Sequence, residues 1–153
     1  MNIPILSGAC VIENGKLLLL QQRDDGVHPG KWGTPGGHGN ENESLVEVAV
    51  RETKEETNLD IEISGLVQSV LAFSTDSKAY VVTLYLARAK NLGEMKIDRS
   101  EAKDFAWASL DEIKSDEYEF RDPRLKPILI KALSQKVAPT DSFIILKLES
   151  NVD

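Results

Sequence analysis

The chain has 153 residues, enough for one domain with a self-sufficient core, and 41% hydrophobic with 28% charged residues is an ordinary globular mixture. A net charge of −7 without any basic tract argues against binding a nucleic acid polymer or an anionic membrane. A single cysteine, Cys10, excludes an internal disulfide; with no signal peptide and no 18-residue apolar span, the expected compartment is a reducing cytoplasm.

In chain order, residues 5–12 and 16–22 are apolar, strand-like runs joined through Glu13-Asn14-Gly15, whose Asn-Gly pair is a hairpin signal. Cys10 sits inside the first run and reads as a small core residue. Residues 24–31 form a polar loop carrying Gly26, Pro29 and Gly30. A helix is predicted after Ser44, which forms a capping box with Glu47. It should stop at Asn58, a residue that tolerates the left-handed conformation of a C-terminal cap. Residues 66–73 and 79–89 read as two strands around a turn at 74–78. Residues 91–104 read as a charged loop and 105–108 as a short strand, followed by a second capping box at Ser109 and Glu112. Asp122-Pro123 opens a last helix through about Lys136, with Pro127 competing as its start. Residues 143–148 suggest an added strand, on a sheet edge or at a dimer contact. Mixed strands with helices on two sides predict an α/β sandwich, with residues 1–136 as one domain and 137–153 as a C-terminal extension.

The first long helix carries the chemistry. At about 100° per residue, Leu45, Val48 and Ala49 share a stripe, and Glu52, Glu55 and Glu56 continue it before Leu59 resumes the apolar pattern. Carboxylates at i, i+3 and i+4 repel one another, and partly buried ones are costly unless a positive charge lies among them. A solvated acidic face would run the whole helix, whereas these acids are flanked by apolar residues on both sides. A divalent cation with oxygen ligands is the simplest remedy.

The same residues carry a family resemblance. Gly37, five residues, Glu43, seven residues and then Arg51-Glu52-Thr53-Lys54-Glu55-Glu56-Thr57-Asn58-Leu59 resembles the Nudix box, the signature of hydrolases of nucleoside diphosphates linked to another group. Asn58 stands where that pattern has glycine, and Thr53 where it has a bulky aliphatic residue. Trp32-Gly33-Thr34-Pro35-Gly36-Gly37 resembles the approach to the box, and residues 17–23 the strand before it. Phe105-Ala106-Trp107-Ala108-Ser109-Leu110-Asp111-Glu112-Ile113 is similar to the family's late strand and short helix, so the resemblance covers roughly residues 3–135.

This resemblance implies an α/β/α sandwich with a mixed β-sheet, and water attack on a phosphorus of a diphosphate bridge. It implies that Glu52, Glu55 and Glu56 ligate Mg²⁺, with Mn²⁺ as a substitute, and that the Gly37 backbone carbonyl adds an oxygen. Glu43 and Arg51 resemble the family's internal salt bridge, which supports the site. The general base is Glu52 or an acid of the late loop, best placed at Glu101; Glu101 alternatively completes the metal shell or is a solvated charge. Arg23 is either a phosphate contact or a free strand-end arginine, and His38 either reaches substrate or is a bystander. Trp32, Phe73, Tyr80 and Tyr85 read as packing residues, with base stacking by one of the last three as the alternative.

Subfamily marks fall downstream of the box. The proline of ADP-ribose hydrolases is replaced by Ser74, and the later tyrosine of dinucleoside polyphosphate hydrolases by Thr75, Asp76 or Ser77. Gly37-His38, Tyr80-Val81-Val82-Thr83 and Ala106-Trp107 look more like MutT-type nucleoside triphosphate pyrophosphohydrolases. The expected partner is therefore a small nucleotide, with a nucleoside diphosphate sugar or ADP-ribose as alternatives. The expected assembly is a monomer or homodimer. A non-catalytic nucleotide sensor is the reading from another class, and the intact Glu52, Glu55 and Glu56 weigh against it.

Overall fold

A computed structural model describes residues 3–143. Its elements are β1 (Ile5–Glu13), β2 (Lys16–Gln22), β3 (Trp32–Gly33), β4 (Gly36–His38), α1 (Leu45–Thr57), β5 (Ile61–Phe73), β6 (Ala79–Ala89), β7 (Ala102–Ala108), α2 (Leu110–Lys114) and α3 (Leu125–Leu133). The strands order as β3-β2-β1-β6-β5, with β4 also on β1 and β7 also on β2. All pairs are antiparallel except β1 and β6, which run parallel from Ile5↔Val81 to Val11↔Ala87. The sheet is mixed, and the fold is the expected α/β/α sandwich.

Both faces of the central strands are covered, which explains why their sequences are unbroken apolar runs. On one face Cys10, Ile12, Leu17 and Leu19 pack with Leu84 and Leu86 against Ile113 of α2 and Leu125 and Leu129 of α3. The alternate residues Ala9, Val11 and Leu18 pack on the other face with Leu59 and Ile61. Leu45 and Ala49 of α1 close that face over Leu66 and Tyr85. Cys10 is fully buried, and desolvation pushes its thiol up to about 12, so it behaves as a core residue.

The Asn-Gly turn places both residues at positive φ, 51° for Asn14 and 71° for Gly15, as a two-residue hairpin requires. Helix α1 begins at a complete capping box, with Ser44 Oγ accepting from Glu47 N–H and Glu47 Oε2 accepting from Ser44 N–H. It ends at Asn58, left-handed at φ 59°.

Three boundaries differ from expectation. Strand β5 begins at Ile61 rather than 66, because Glu62, Ser64 and Gly65 hide the alternation while pairing with β6 extends through a register shift at Gly65. Strand β7 begins at Ala102 rather than 105, since pairing with β2 outweighs the polar character of Lys103 and Asp104. Helix α3 spans only Leu125–Leu133, and Pro127 falls in its first turn, where the missing N–H leaves no bond unmade. Past that helix, Ala138 exchanges both backbone hydrogen bonds with Leu66. Apart from Phe143, the added strand expected at 143–148 lies outside the described residues. No helix among the described residues is long and apolar enough to cross a membrane.

Candidate active site

The acids of α1 do not take the core stripe itself. Leu45, Val48, Ala49, Thr53 and Thr57 are the buried residues of the helix, so Thr53 and Thr57 continue the core where the sequence pattern suggested Glu52 and Glu56. The glutamates flank that stripe. Glu52 and Glu56 are half-buried and line a cleft of about 410 Å³, while Glu55 is exposed. Thr57 Oγ1 satisfies itself by donating to the Thr53 carbonyl at 2.6 Å, whereas Thr53 Oγ1 is buried without a partner.

The floor of the cleft is the β4 backbone. Glu56 Oε1 accepts from the Gly36 N–H at 2.8 Å. The Glu52 carboxylate lies against Gly37 so closely that a Cβ there would stand 2.5 Å from its Cδ and 2.6 and 2.7 Å from its oxygens. Any side chain at 37 would displace the acid, which is the physical reason for glycine at this point. On the far wall the Asp98 N–H donates to the Glu56 carbonyl at 2.8 Å, pinning the loop before β7 to the end of α1. Ala102 then pairs with Gln22, and Glu101 stands at the cleft beside that pair. Burial pushes the Glu56 carboxyl up to about 7; the Gly36 N–H and the charge of Arg121 oppose the rise, and Glu52 and Glu101 add to it.

Arg51 organises the rim. Its Nε and Nη2 donate to the two Glu43 oxygens at 2.6 and 2.9 Å in a fork, and Nη2 also donates to the His38 carbonyl at 2.9 Å. Its Nη1 donates to Glu52 Oε1 at 2.7 Å and reaches Glu55 at 3.3 Å. The Arg51 guanidinium beside Glu43, helped by the Asn40 N–H, holds that carboxyl below its ordinary value. His38 is exposed and lines the cleft. Arg23 does not line it: its guanidinium pairs with Asp25 at 2.9 Å and donates to the Arg99 carbonyl at 2.8 Å. Among the described residues no aromatic ring lines the cleft; Trp32 instead packs edge-on to Tyr118, with ring centroids 5.2 Å apart.

The donor chemistry fits a hard divalent cation, because every candidate ligand is oxygen and the charges of Glu52 and Glu101 disfavour a bare Glu56 carboxylate. Glu52, Glu56 and Glu101 share the cleft, with the Gly37 backbone on its floor, while Glu55 is exposed and does not line it. Among the described residues no three His, Cys, Asp or Glu side chains stand gathered around one ion position. Arg51 accounts for part of that, since its Nη1 engages both Glu52 and Glu55.

Residues 5–129 match the family model of the NUDIX domain. The chain belongs to that family. It is 35% identical over 100 residues to the bis(5'-nucleosyl)-tetraphosphatase [asymmetrical] of Rattus norvegicus, and 31% identical over 98 residues to that of Mus musculus. Each match covers 61% of this chain and 65% of the relative, so the chain spans under two thirds of the length of those proteins. A NUDIX hydrolase from Nitrosomonas europaea superposes with a TM-score of 0.79 at 22% identity, covering 98% of this chain and 99% of that one. At that identity the likeness speaks for the fold, and the NUDIX fold is the one described above.

Several NUDIX cleft residues escaped the sequence reading. Gln21, Gln22, Lys31, Gly33, Thr34 and Arg121 line the cleft with the box acids. Arg121 comes from the loop before α3, 65 positions beyond Glu56, and no local spacing marks it. The bridge between Trp32 and Phe120 brings it there.

Proposed function

We propose that this chain hydrolyses a diphosphate bridge in a nucleoside diphosphate linked to another moiety. A nucleoside or deoxynucleoside triphosphate is the preferred substrate, giving a monophosphate and pyrophosphate. The observation that carries this reading is that Glu52, Glu56 and Glu101 line one cleft floored by Gly36 and Gly37. Such an acidic cleft is hostile to a polyphosphate unless a cation is bound.

Glu52, Glu55 and Glu56, with the Gly37 carbonyl, would hold Mg²⁺, or Mn²⁺ in its place. When bound, such an ion neutralises bridge charge and acidifies water. For these acids to serve, Glu52 and Glu55 turn away from Arg51 Nη1, while Glu43 keeps its fork on Nε and Nη2 and holds the loop to α1. Glu52 or Glu101 takes the proton of the attacking water. The water oxygen forms the new bond to phosphorus, the bridging P–O bond breaks, and the leaving phosphate departs with the electron pair.

A second reading, a dinucleoside tetraphosphate substrate, is favoured by the identity of 31–35% to two enzymes named as tetraphosphatases. The absent downstream tyrosine weighs for the first. Incubation with Mg²⁺ and a panel of triphosphates, dinucleoside tetraphosphates, ADP-ribose and sugar nucleotides, resolved by chromatography, separates them. Preferential pyrophosphate release from a triphosphate supports the first reading, and consumption of the tetraphosphate alone supports the second. Tight binding without turnover of any of them would make the chain a nucleotide sensor and overturn both.

A further inference from the structure

The cleft faces an anionic substrate with three glutamates, so its cations decide where phosphate oxygens are received. Lys31 is paired with Glu119 at 3.2 Å, the glutamate largely in solvent. Arg121 differs. Backbone bonds fix its place: the Trp32 N–H donates to the Glu119 carbonyl at 2.8 Å, and the Arg121 N–H donates to the Trp32 carbonyl at 2.9 Å. Its side chain then crosses β3 above Gly33, where a Cβ would stand 2.6 Å from Nε and 2.7 Å from Cζ. Glycine at 33 is thus a cradle for a guanidinium.

Within that cradle the guanidinium makes one side-chain hydrogen bond to the described residues, from Nη2 to the Thr34 carbonyl at 3.2 Å. Among the described residues no carboxylate lies within ion-pair distance of it. Of the two acids whose charge it feels, Asp122 is engaged by the Arg124 backbone and guanidinium, and Glu56 belongs to the cleft. A guanidinium stays charged at neutral pH, so its desolvation is compensated only when acceptors meet its planar fork.

We propose that Arg121 is a substrate contact, receiving a non-bridging phosphate oxygen of the polyphosphate beside the Glu52 and Glu56 acids. A phosphate oxygen fits better than a nucleobase edge. It supplies the negative charge that the guanidinium lacks, and it matches the fork with two parallel N–H···O bonds. The inference rests on the reading of this cleft as a polyphosphate site.

The test compares wild type, Arg121→Gln and Arg121→Lys. It measures equilibrium binding of inorganic pyrophosphate with Mg²⁺ by calorimetry, kcat and KM for four triphosphates differing only in base, and melting. Arg121→Gln should weaken pyrophosphate binding and lower kcat/KM by roughly 10- to 100-fold, equally for all four bases. Arg121→Lys, which keeps the charge and loses the fork, should recover part of the binding. Because the anchoring bonds are backbone, melting should change little. Should Arg121→Gln fail to fold, Gly33→Ala, which pushes on the guanidinium and keeps its charge, must show the same base-independent loss. Folded Arg121→Gln with wild-type affinity and turnover overturns the contact while leaving the hydrolase reading intact. A loss confined to one base overturns it in favour of base recognition. Wild type that neither binds pyrophosphate nor turns over any nucleotide overturns both this contact and the hydrolase reading.

Discussion

Replacing Glu56 by Gln keeps shape and removes charge, and the structure fixes the sign of the result. Burial lifts this carboxyl from its ordinary 4.5 to about 7, so folding favours its protonated form. A raised folded value contributes stability that is fully present below pH 4.5 and is lost as pH rises through about 7. The whole displacement corresponds to about 3 kcal/mol. Metal-free wild type should therefore lose stability between pH 4.5 and 8, and Glu56→Gln should not share that loss. At pH 8 the metal-free variant should exceed wild type by up to about 3 kcal/mol, or roughly 6–12 °C in melting midpoint for a chain of this size. Below pH 4.5 the two should coincide. Added Mg²⁺ should stabilise wild type by mass action and the variant much less, while turnover falls by roughly two orders of magnitude or more. Calorimetric melting across pH, with and without Mg²⁺, reads these outcomes. Equal metal-free stability at pH 8 together with undiminished Mg²⁺ stabilisation would show Glu56 to be a solvated glutamate and not a buried ligand.

Arg51→Ala removes the fork that holds Glu43 and its loop to α1, so turnover should fall by roughly 10- to 100-fold. Its melting midpoint should also drop, and unchanged turnover and melting curves would contradict the bridge's role. Glu101→Gln should leave folding intact, since the side chain is exposed, and should lower kcat by roughly 10²- to 10⁴-fold if Glu101 takes the proton. By removing a like charge near Glu56, it should also move the pH midpoint of Mg²⁺ binding to lower pH, and a midpoint moved upward would contradict the placement.

Much of the fold is local, and local signals wrote it plainly. The hairpin at Asn14-Gly15, the capping box at Ser44 and the left-handed Asn58 each depend on a few neighbouring residues, and each forms as its chemistry dictates. The unbroken apolar runs of β1 and β2 announced strands buried on both faces. Helical periodicity was too coarse at the acids, because a stripe about 100° wide does not separate core from rim. Thr53 and Thr57 took the core, and Glu52 and Glu56 the cleft wall. The late loop was harder still. Glu101 reaches the cleft through the backbone bond between Asp98 and Glu56, and Arg121 through the pairing of Trp32 with Phe120; both are long-range contacts without periodicity. The starts of β5 and β7 were hidden for the same reason, since partner strands rather than their own residues define them.

The proposed reaction is cation-assisted water attack on an internal phosphorus. It is tested most directly by turnover of a triphosphate in ¹⁸O-water with Mg²⁺, with the products read by ³¹P NMR, and by the same reaction in excess EDTA. Label should appear in the monophosphate or the pyrophosphate, with no orthophosphate and no turnover once the metal is chelated. Label in orthophosphate, or undiminished turnover in EDTA, would contradict it.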